Sequence, residues 1–142
     1  MSGEQWDSVV DVSLNGFYNV VQPLLLHMIG TRWGRIISMS SVAAILGNRG
    51  QANYAAAKAG LHGATRALAV EVASRGITAN VVVPGIIESE MASGFSPEQI
   101  AAMVPMKRAG RPQEVAALVG FLASDEASYV SGQIIGANGG MI

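Results

Sequence analysis

The segment at residues 77–83 is the feature that most constrains the fold of this chain. It is a continuous run, mostly apolar and rich in β-branched residues, and Pro84-Gly85 ends it. A strand with this pattern is buried on both faces, which is typical of a parallel sheet covered by helices. The 17 glycines and the low aromatic content of 6% also favour a doubly wound α/β protein over a helical bundle.

Helix and strand patterns alternate around this run. Between Val10 and Met28, apolar residues recur at three- and four-residue intervals, which predicts a long helix that ends at Gly30 and is bent or divided at Pro23. The other predicted elements, in chain order, are a strand at 35–40, a helix at 53–74, a short helix begun by Ser96-Pro97, a helix that follows Arg111-Pro112 and runs to about Ser124, and a strand at 133–136. With right-handed crossovers, this order predicts about three parallel strands side by side.

Composition and charge narrow the classes of function. At 142 residues with 50% hydrophobic and 13% charged content, the chain is expected to form one domain, residues 1–142. The formal net charge of -1 supplies no overall positive field for nucleic acid or an anionic membrane. The apolar runs fall far short of a membrane span, and nothing near Met1 resembles a signal peptide. The lack of cysteine suits a cytoplasmic location, and His27 and His62, on separate predicted helices, predict no metal site.

Residues 41–58 contain a serine, a tyrosine and a lysine at the spacing that carbonyl reduction needs. A ketone becomes an alcohol when hydride reaches its carbon and a proton reaches its oxygen, so the protein must supply an acid, for which Tyr54 is the candidate. Lys58 lies one helical turn on, where its ammonium favours the phenolate, and Ser41 can hydrogen-bond the substrate oxygen. Alone, the spacing is common in helices and is better explained by a turn cap, a packed tyrosine and a solvated lysine.

Six further segments favour the catalytic interpretation of these three residues over the structural one. They are residues 6–9 (WDSV), 34–37 (GRII), 50–60 (GQANYAAAKAG), 73–81 (ASRGITANV), 84–91 (PGIIESEM) and 138–141 (NGGM). With them, the chain resembles the carboxy-terminal part of the short-chain dehydrogenase/reductase family over essentially all 142 residues, and within that family most the 3-oxoacyl-acyl-carrier-protein reductases. The resemblance implies a partial Rossmann-type, doubly wound parallel sheet.

A glycine-rich phosphate loop is the part of the family pattern that is missing. No Gly-x-Gly-x-x-Gly or Gly-x-x-x-Gly-x-Gly loop follows a strand near Met1. The amino-terminal half, which holds most of the cofactor, is therefore expected to be absent. The strand at 35–40 would then expose a sheet edge and the apolar faces beneath it.

By this resemblance, Ser41, Tyr54 and Lys58 are the catalytic serine, tyrosine and lysine, and Lys58 also hydrogen-bonds the nicotinamide ribose. The family's fourth catalytic residue is an asparagine in the first long helix, and Ser13 occupies its place here. Serine is shorter and lacks the amide, so slower reprotonation of the lysine through water is expected. Asn15 points to another side of the helix and is a poor substitute.

The resemblance also implies NADPH as the cofactor and no metal. Pro84-Gly85 and Ile87 would line the nicotinamide, Ile87 through backbone contacts to its carboxamide, and Ser89 stands where the family usually has threonine. Arg32 and Arg75 match the arginines that dock acyl carrier protein, whose acidic helix would meet the guanidinium groups.

The implied function is NADPH-dependent reduction of a 3-oxoacyl thioester to the 3-hydroxyacyl thioester in fatty acid biosynthesis, by a homodimer or homotetramer. Residues 91–108, with Met91, Met103 and Met106, would form a mobile substrate lid, and the small residues at 55, 59 and 63 suit close packing of helices. Two alternatives stay open. One is a short-chain reductase for acetoacetyl-coenzyme A or a small ketone, and the other is a truncated, non-catalytic remnant that acts only as an association module.

Overall fold

A three-stranded parallel sheet forms the centre of the molecule. The computed structural model describes residues 1–142 apart from the side chain of Met91. Strands β1 (Gly34–Met39), β2 (Ile77–Pro84) and β3 (Ile134–Ala137) lie in the order β1-β2-β3, and both pairs are parallel. The predicted partial, doubly wound sheet of three parallel strands with flanking helices is therefore confirmed.

Strand β2 is buried along almost its whole length, as its apolar pattern predicts. Val81, Val82 and Val83 have no exposed surface, and neither has Asn80. The Asn80 side chain donates to the Val130 carbonyl at 2.8 Å and accepts from the Gln133 amide at 3.0 Å. A buried amide needs such partners, and here they fasten β2 to the segment that enters β3.

Helices cover both faces of the sheet. They are α1 (Gly3–Val10), α2 (Gly16–Thr31), α3 (Ala43–Leu46), α4 (Ala52–Val72), α5 (Pro97–Met103) and α6 (Pro112–Ala123). Helices α2 and α4 pack against Ile36, Ile77 and Ala79, whereas α6 packs against Val82 and Ile135 on the opposite face. Among the residues described, no helix has both the length and the hydropathy that a membrane crossing would require.

The first predicted helix differs from expectation in where it is interrupted. Helix α2 runs through Pro23 without dividing, and the interruption lies upstream, as a π-helical turn at Asp11–Asn15. Proline leaves the carbonyl of Asn19, one turn earlier, without its helical donor. Both residues are exposed, so water can satisfy that carbonyl and the helix tolerates the proline.

Beside β1 lies an apolar groove, here called the α2–β1 groove, of about 370 Å³. Its lining is Ser13, Gly16, Phe17, Val20, Val21, Leu24, Met28, Arg35, Ile36, Ile37, Ser38, Met39 and Leu61. Val20 and Leu24 remain 63% and 49% exposed there. In the described sheet β1 pairs only with β2, so the edge that the sequence predicts to be open is open.

The turn between α4 and β2 gives a stability prediction. Gly76 has a φ of 71°, and a Cβ there would collide with the Arg32 carbonyl oxygen. We expect Gly76→Ala to lower the free energy of unfolding by at least about 1–2 kcal/mol, the cost of a left-handed non-glycine residue.

The matched control is Gly120→Ala, because Gly120 lies in α6 with open space at its Cβ position. Removing a helix glycine should raise stability by about 0.5–1 kcal/mol. Urea unfolding midpoints of the three proteins measure both effects, and a Gly76→Ala midpoint equal to that of the parent chain would contradict the strained turn.

Candidate active site

Ser41 lies where β1 ends, at the carboxyl edge of the sheet. The backbone on either side of it is fixed, since Ser40 N–H donates to the Val82 carbonyl at 2.8 Å and Val42 N–H donates to the Pro84 carbonyl at 3.1 Å. Ser41 Oγ accepts from Ala43 N–H at 3.2 Å, so it does cap a turn. That bond uses an oxygen lone pair and leaves the hydroxyl proton available to donate.

Tyr54 and Lys58 lie one turn apart near the start of α4, as their spacing predicts. Lys58 Nζ lies 5.8 Å from the centre of the Tyr54 ring, within the range of a cation–π interaction. The same ammonium donates to the Met39 carbonyl at 3.0 Å. Burial lowers the pKa of Lys58 from its ordinary value. The lysine is therefore anchored and partly desolvated, unlike a freely solvated surface lysine.

The Met39 carbonyl is part of the open sheet edge. Ser40 N–H donates to β2, and the Met39 carbonyl, which belongs to the same trans peptide group, therefore points to the opposite side, away from β2. Lys58 therefore supplies a donor to a strand-edge carbonyl. This contact places the ammonium at the carboxyl end of β1, the same end at which Ser41 lies.

Two neighbouring residues that the sequence reasoning did not assign complete this cluster. Ser40 Oγ lies 3.1 Å from the Lys58 carbonyl oxygen and 2.7 Å from His62 Nε2. Burial, with the nearby positive charge of Arg66, lowers the pKa of His62. The sequence could have indicated His62 through its spacing, because His62 follows Lys58 by four residues and shares its face of α4.

Ser13 lies in the π-helical turn and is half-buried in the α2–β1 groove, which Met39 also lines. Ser13 therefore shares the lining of this groove with Met39, whose carbonyl accepts from Lys58. The Asn15 amide instead donates to the Asp11 carboxylate on the exposed side of the turn. A role for Ser13 in proton supply stays a prediction.

The loop after β2 holds the residues predicted to contact a nicotinamide. Gly85 N–H donates to the Ala137 carbonyl at 3.1 Å, which fixes the Pro84-Gly85 turn beside β3. A side chain at Gly85 would meet Asn138 at 2.8 Å, so the close approach of the two segments requires glycine.

Ile87 presents its peptide groups to the side away from its neighbour Gly110. Gly110 N–H donates to Ile86 O and Glu88 N–H donates to Gly110 O, both at 2.9 Å. In this bridge the peptide groups of Ile87 point the other way, and its carbonyl accepts only from Ser89 Oγ, at 3.2 Å, among the bonds of the described residues. A carboxamide accepts hydrogen bonds at its oxygen and donates them from its nitrogen. The N–H and the carbonyl of Ile87 therefore fit the nicotinamide end of the predicted cofactor.

Arg32 and Arg75 lie at the same corner of the molecule, remote in sequence but joined in space. Arg32 ends α2 in a left-handed conformation with a φ of 55°, and its guanidinium donates to the Ser74 carbonyl at 3.0 Å. Both arginines are exposed. The bond to Ser74 brings the Arg32 guanidinium next to the residue that precedes Arg75, so together they can present positive charge to a partner.

Comparisons with known proteins identify the family of the chain. A family model described as enoyl-(acyl carrier protein) reductase matches residues 1–142. The 3-oxoacyl-[acyl-carrier-protein] reductases FabG of Salmonella typhimurium and Escherichia coli are each 49% identical to the chain over 99% of its length, and that of Thermotoga maritima is 47% identical over 100%. The chain belongs to the short-chain dehydrogenase/reductase family. It spans 59% of the length of each of these curated relatives.

A solved structure shares the fold of this chain in three dimensions. The TT0495 protein of Thermus thermophilus superimposes with a TM-score of 0.90 at 35% identity, over 99% of this chain and 62% of that protein. The similarity therefore includes the whole of the present chain but only part of the longer protein.

In this short-chain family member, an exposed ion pair joins Arg108, at the end of the segment predicted to be a lid, to Glu114 in α6. The Glu114 carboxylate accepts hydrogen bonds from both terminal nitrogens of Arg108, at 2.7 Å, and from the Arg111 N–H, also at 2.7 Å. Met103 and Met106 are 42% and 66% exposed, whereas the side chain of Met91 lies outside the described residues. The lid function of residues 91–108 stays a prediction.

The Glu114 carboxylate gives a prediction for acid pH. Hydrogen bonds from Arg108 and Arg111 lower its pKa from 4.5 to about 2. A depressed carboxyl pKa contributes stability that is fully present above about 4.5 and is lost as the pH falls toward about 2. We expect Glu114→Gln to lower the thermal midpoint at pH 7 and to match the parent chain near pH 2.

The control for this experiment is Glu71→Gln, which alters a carboxylate on the exposed face of α4. Its midpoint should follow that of the parent chain at every pH. A difference between Glu114→Gln and the parent that stays constant from pH 7 to pH 2 would show that the carboxylate is not held by this ion pair.

Proposed function

We propose that the chain carries the catalytic end of an NADPH-dependent reductase that converts a 3-oxoacyl thioester to the 3-hydroxyacyl thioester. The observation that carries this proposal is the anchored Lys58 ammonium beside the Tyr54 ring, at the strand end that also holds Ser41. The printed names of the curated relatives supply the substrate class. Fatty acid biosynthesis is the setting that those names favour, and a cytoplasmic location stays a prediction.

Each residue has a defined part in the reduction. The Ser41 hydroxyl donates a hydrogen bond to the carbonyl oxygen at C3 and stabilises the charge that develops there. Tyr54 gives its phenolic proton to that oxygen, and the Lys58 ammonium stabilises the phenolate that remains. The atoms balance when one hydride reaches C3 and one proton reaches its oxygen.

The nicotinamide cofactor, when bound, supplies the hydride. Ile87 would hold the carboxamide through its N–H and carbonyl, Pro84-Gly85 and Ser89 would line the nicotinamide, and Lys58 would hold the ribose. Cofactor binding by this set of residues should be weak, because the described chain contains no glycine-rich loop for the pyrophosphate. Ser13 stands in the α2–β1 groove at the position of the family's asparagine, and because it is shorter and lacks the amide, return of a proton through water toward Lys58 should be slower.

The description of the matching family model names an enoyl rather than a 3-oxoacyl substrate. Two hydroxyl donors, Ser41 and Tyr54, are suited to an oxygen that is itself protonated during the reaction, which is the case for a ketone at C3. The names of the relatives at 49% identity also favour a 3-oxoacyl substrate. An enoyl thioester therefore serves as the comparison substrate in the assay.

Replacing the acid tests the proposed reaction. We expect purified chain to oxidise NADPH with acetoacetyl-coenzyme A and not with crotonyl-coenzyme A. Tyr54→Phe removes the proton donor and should lower kcat by about 10²–10⁴-fold. Tyr129→Phe is the matched control, because Tyr129 is fully exposed and away from the site, and it should leave the rate unchanged.

Three outcomes of this assay would count against the proposal. Turnover that survives Tyr54→Phe would exclude Tyr54 as the acid. Faster reduction of crotonyl-coenzyme A would favour the enoyl substrate. No turnover and no NADPH binding by folded chain would favour the non-catalytic association module, which light scattering of the chain with a full-length relative would then examine.

Docking of an acyl carrier protein is the proposed role of the corner formed by Arg32 and Arg75. Arg32 is also bonded to Ser74, so Arg75 is the cleaner site for substitution. We expect Arg75→Glu to raise KM for a carrier-bound substrate about tenfold, since a charge-assisted hydrogen bond contributes about 1.5 kcal/mol or more.

The control is the substrate itself. With a 3-oxoacyl N-acetylcysteamine thioester, which has no carrier protein, Arg75→Glu should leave KM unchanged, and Arg75→Lys should keep part of the affinity for the carrier-bound substrate. Equal effects on both substrates would mean that Arg75 acts on the site rather than on the carrier.

A further inference from the structure

The two hydrogen bonds of the Ser40 hydroxyl determine which group donates in each of them. Ser40 is only 6% exposed, and its hydroxyl has a single proton with two partners, the Lys58 carbonyl at 3.1 Å and His62 Nε2 at 2.7 Å. A carbonyl can only accept, so the hydroxyl proton goes to Lys58. His62 must then donate from Nε2, which assigns the proton to that ring nitrogen.

Lys58 is consequently held at both of its ends by consecutive residues of the chain. Ser40 bonds its backbone carbonyl, and the Met39 carbonyl accepts from its ammonium at 3.0 Å. A lysine side chain has four rotatable bonds, and ordering it costs conformational entropy. Fixing the backbone opposite the strand end reduces the range of positions that the ammonium can reach.

We propose that His62 and Ser40 are positioning residues for Lys58, acting as a hydrogen-bond relay from His62 through Ser40 to the Lys58 carbonyl that sets where the ammonium lies beside Tyr54. The relay rests on the proposed function in so far as it assigns Lys58 a part in catalysis. Its geometry and its effect on Lys58 can be measured without any substrate.

General packing of α4 does not require this relay. Leu61 and Leu68 are buried, and a second strand-to-helix bond joins Ser38 Oγ and Thr65 Oγ1 at 2.8 Å, two turns beyond Lys58. That bond is buried and links the same two elements, but it does not contact Lys58. It therefore provides a matched control for the specific effect of Ser40.

The direction of the relay is tested first, on the unmodified chain, by NMR of the histidine ring nitrogens. The chain has two histidines, so exposed His27 serves as the internal reference. We expect His62, when neutral, to carry its proton on Nε2. A proton on Nδ1 instead would leave Nε2 as an acceptor, direct the Ser40 proton to it, and overturn the relay.

The effect on Lys58 is tested by the titration of carbon-13-labelled lysines. The chain has two lysines, and Lys107 is the internal reference. Ser40→Ala should shift the Lys58 titration upward, toward that of a solvated lysine, and leave Lys107 unchanged. Ser38→Ala removes the control bond and should move neither signal. An unchanged Lys58 signal in Ser40→Ala, or an equal shift in Ser38→Ala, would overturn the proposal.

Substitution of His62 gives a rescue experiment. His62→Phe should produce the same Lys58 shift as Ser40→Ala, whereas His62→Gln, whose amide can still donate to Ser40, should restore the parent value at least in part. Equal shifts in both variants would show that bulk, rather than the donated hydrogen bond, is what matters at this position.

Activity then connects the relay with the proposed reaction. In Tyr54-dependent turnover, Ser40→Ala and His62→Phe should lower kcat about tenfold with little change in KM, and His62→Gln should recover it. If the unmodified chain shows no Tyr54-dependent turnover, the proposed function fails, and the tautomer and the lysine titration still decide the relay. Unchanged kcat in an active chain would overturn the role in catalysis.

Discussion

The buried central strand is the constraint on which the arrangement of the site depends. Strand β2 bonds to β1 on one side and to β3 on the other, and both pairs are parallel. Parallel pairing brings the carboxyl ends of all three strands to one edge of the sheet. Ser41, the Pro84-Gly85 turn and the segment after Ala137 consequently meet there. Burial of β2 on both faces makes a slip in register costly, because it would expose the valines and orphan the Asn80 amide.

Helix α4 is then positioned against that edge by three polar contacts in addition to apolar packing. The Ser38–Thr65 bond, the Ser40–Lys58 bond and the Lys58–Met39 bond all join α4 to β1 or to the residue directly after β1. Their partners outside α4 are the consecutive residues Ser38, Met39 and Ser40, so a rotation of the helix would break more than one of these bonds. The ammonium beside Tyr54 is therefore held by the sheet, not only by the helix on which it lies.

The sequence predicted the parts of this molecule that depend on local pattern. The apolar run at 77–83 and the serine and proline that begin α5 each specify their element through short-range physics, and the observed bounds differ from the predicted ones by a residue or two. The π-helical turn at Asp11–Asn15 and the continuity of α2 through Pro23 were not predicted. The continuity of α2 depends on the solvent exposure of the Asn19 carbonyl, which periodicity does not report.

The candidate site could be predicted only in so far as it follows from spacing and resemblance. The Tyr54 and Lys58 pair follows from helical spacing, but the contacts of Lys58 with Met39 and Ser40 join residues 18 or 19 positions apart. Such contacts depend on how α4 crosses the end of β1. His62 was considered only as a metal ligand, because its partner Ser40 is remote in sequence. Buried polar pairs of this kind become visible once the crossing of the elements is known.

The position of Lys58 at the open edge of β1 has a further consequence for how the site relates to the rest of a longer short-chain protein. A carbonyl oxygen has two lone pairs, so the Met39 carbonyl can accept from Lys58 and from a strand N–H at the same time. A strand that paired with β1 would cover the α2–β1 groove and exclude water from the Lys58–Met39 bond. Because a hydrogen bond from an ammonium strengthens as water is excluded, such pairing would hold Lys58 more firmly in the place that the relay sets. Pairing of a further strand with β1 is therefore compatible with the bond between Lys58 and the Met39 carbonyl, and both can be present at the same time.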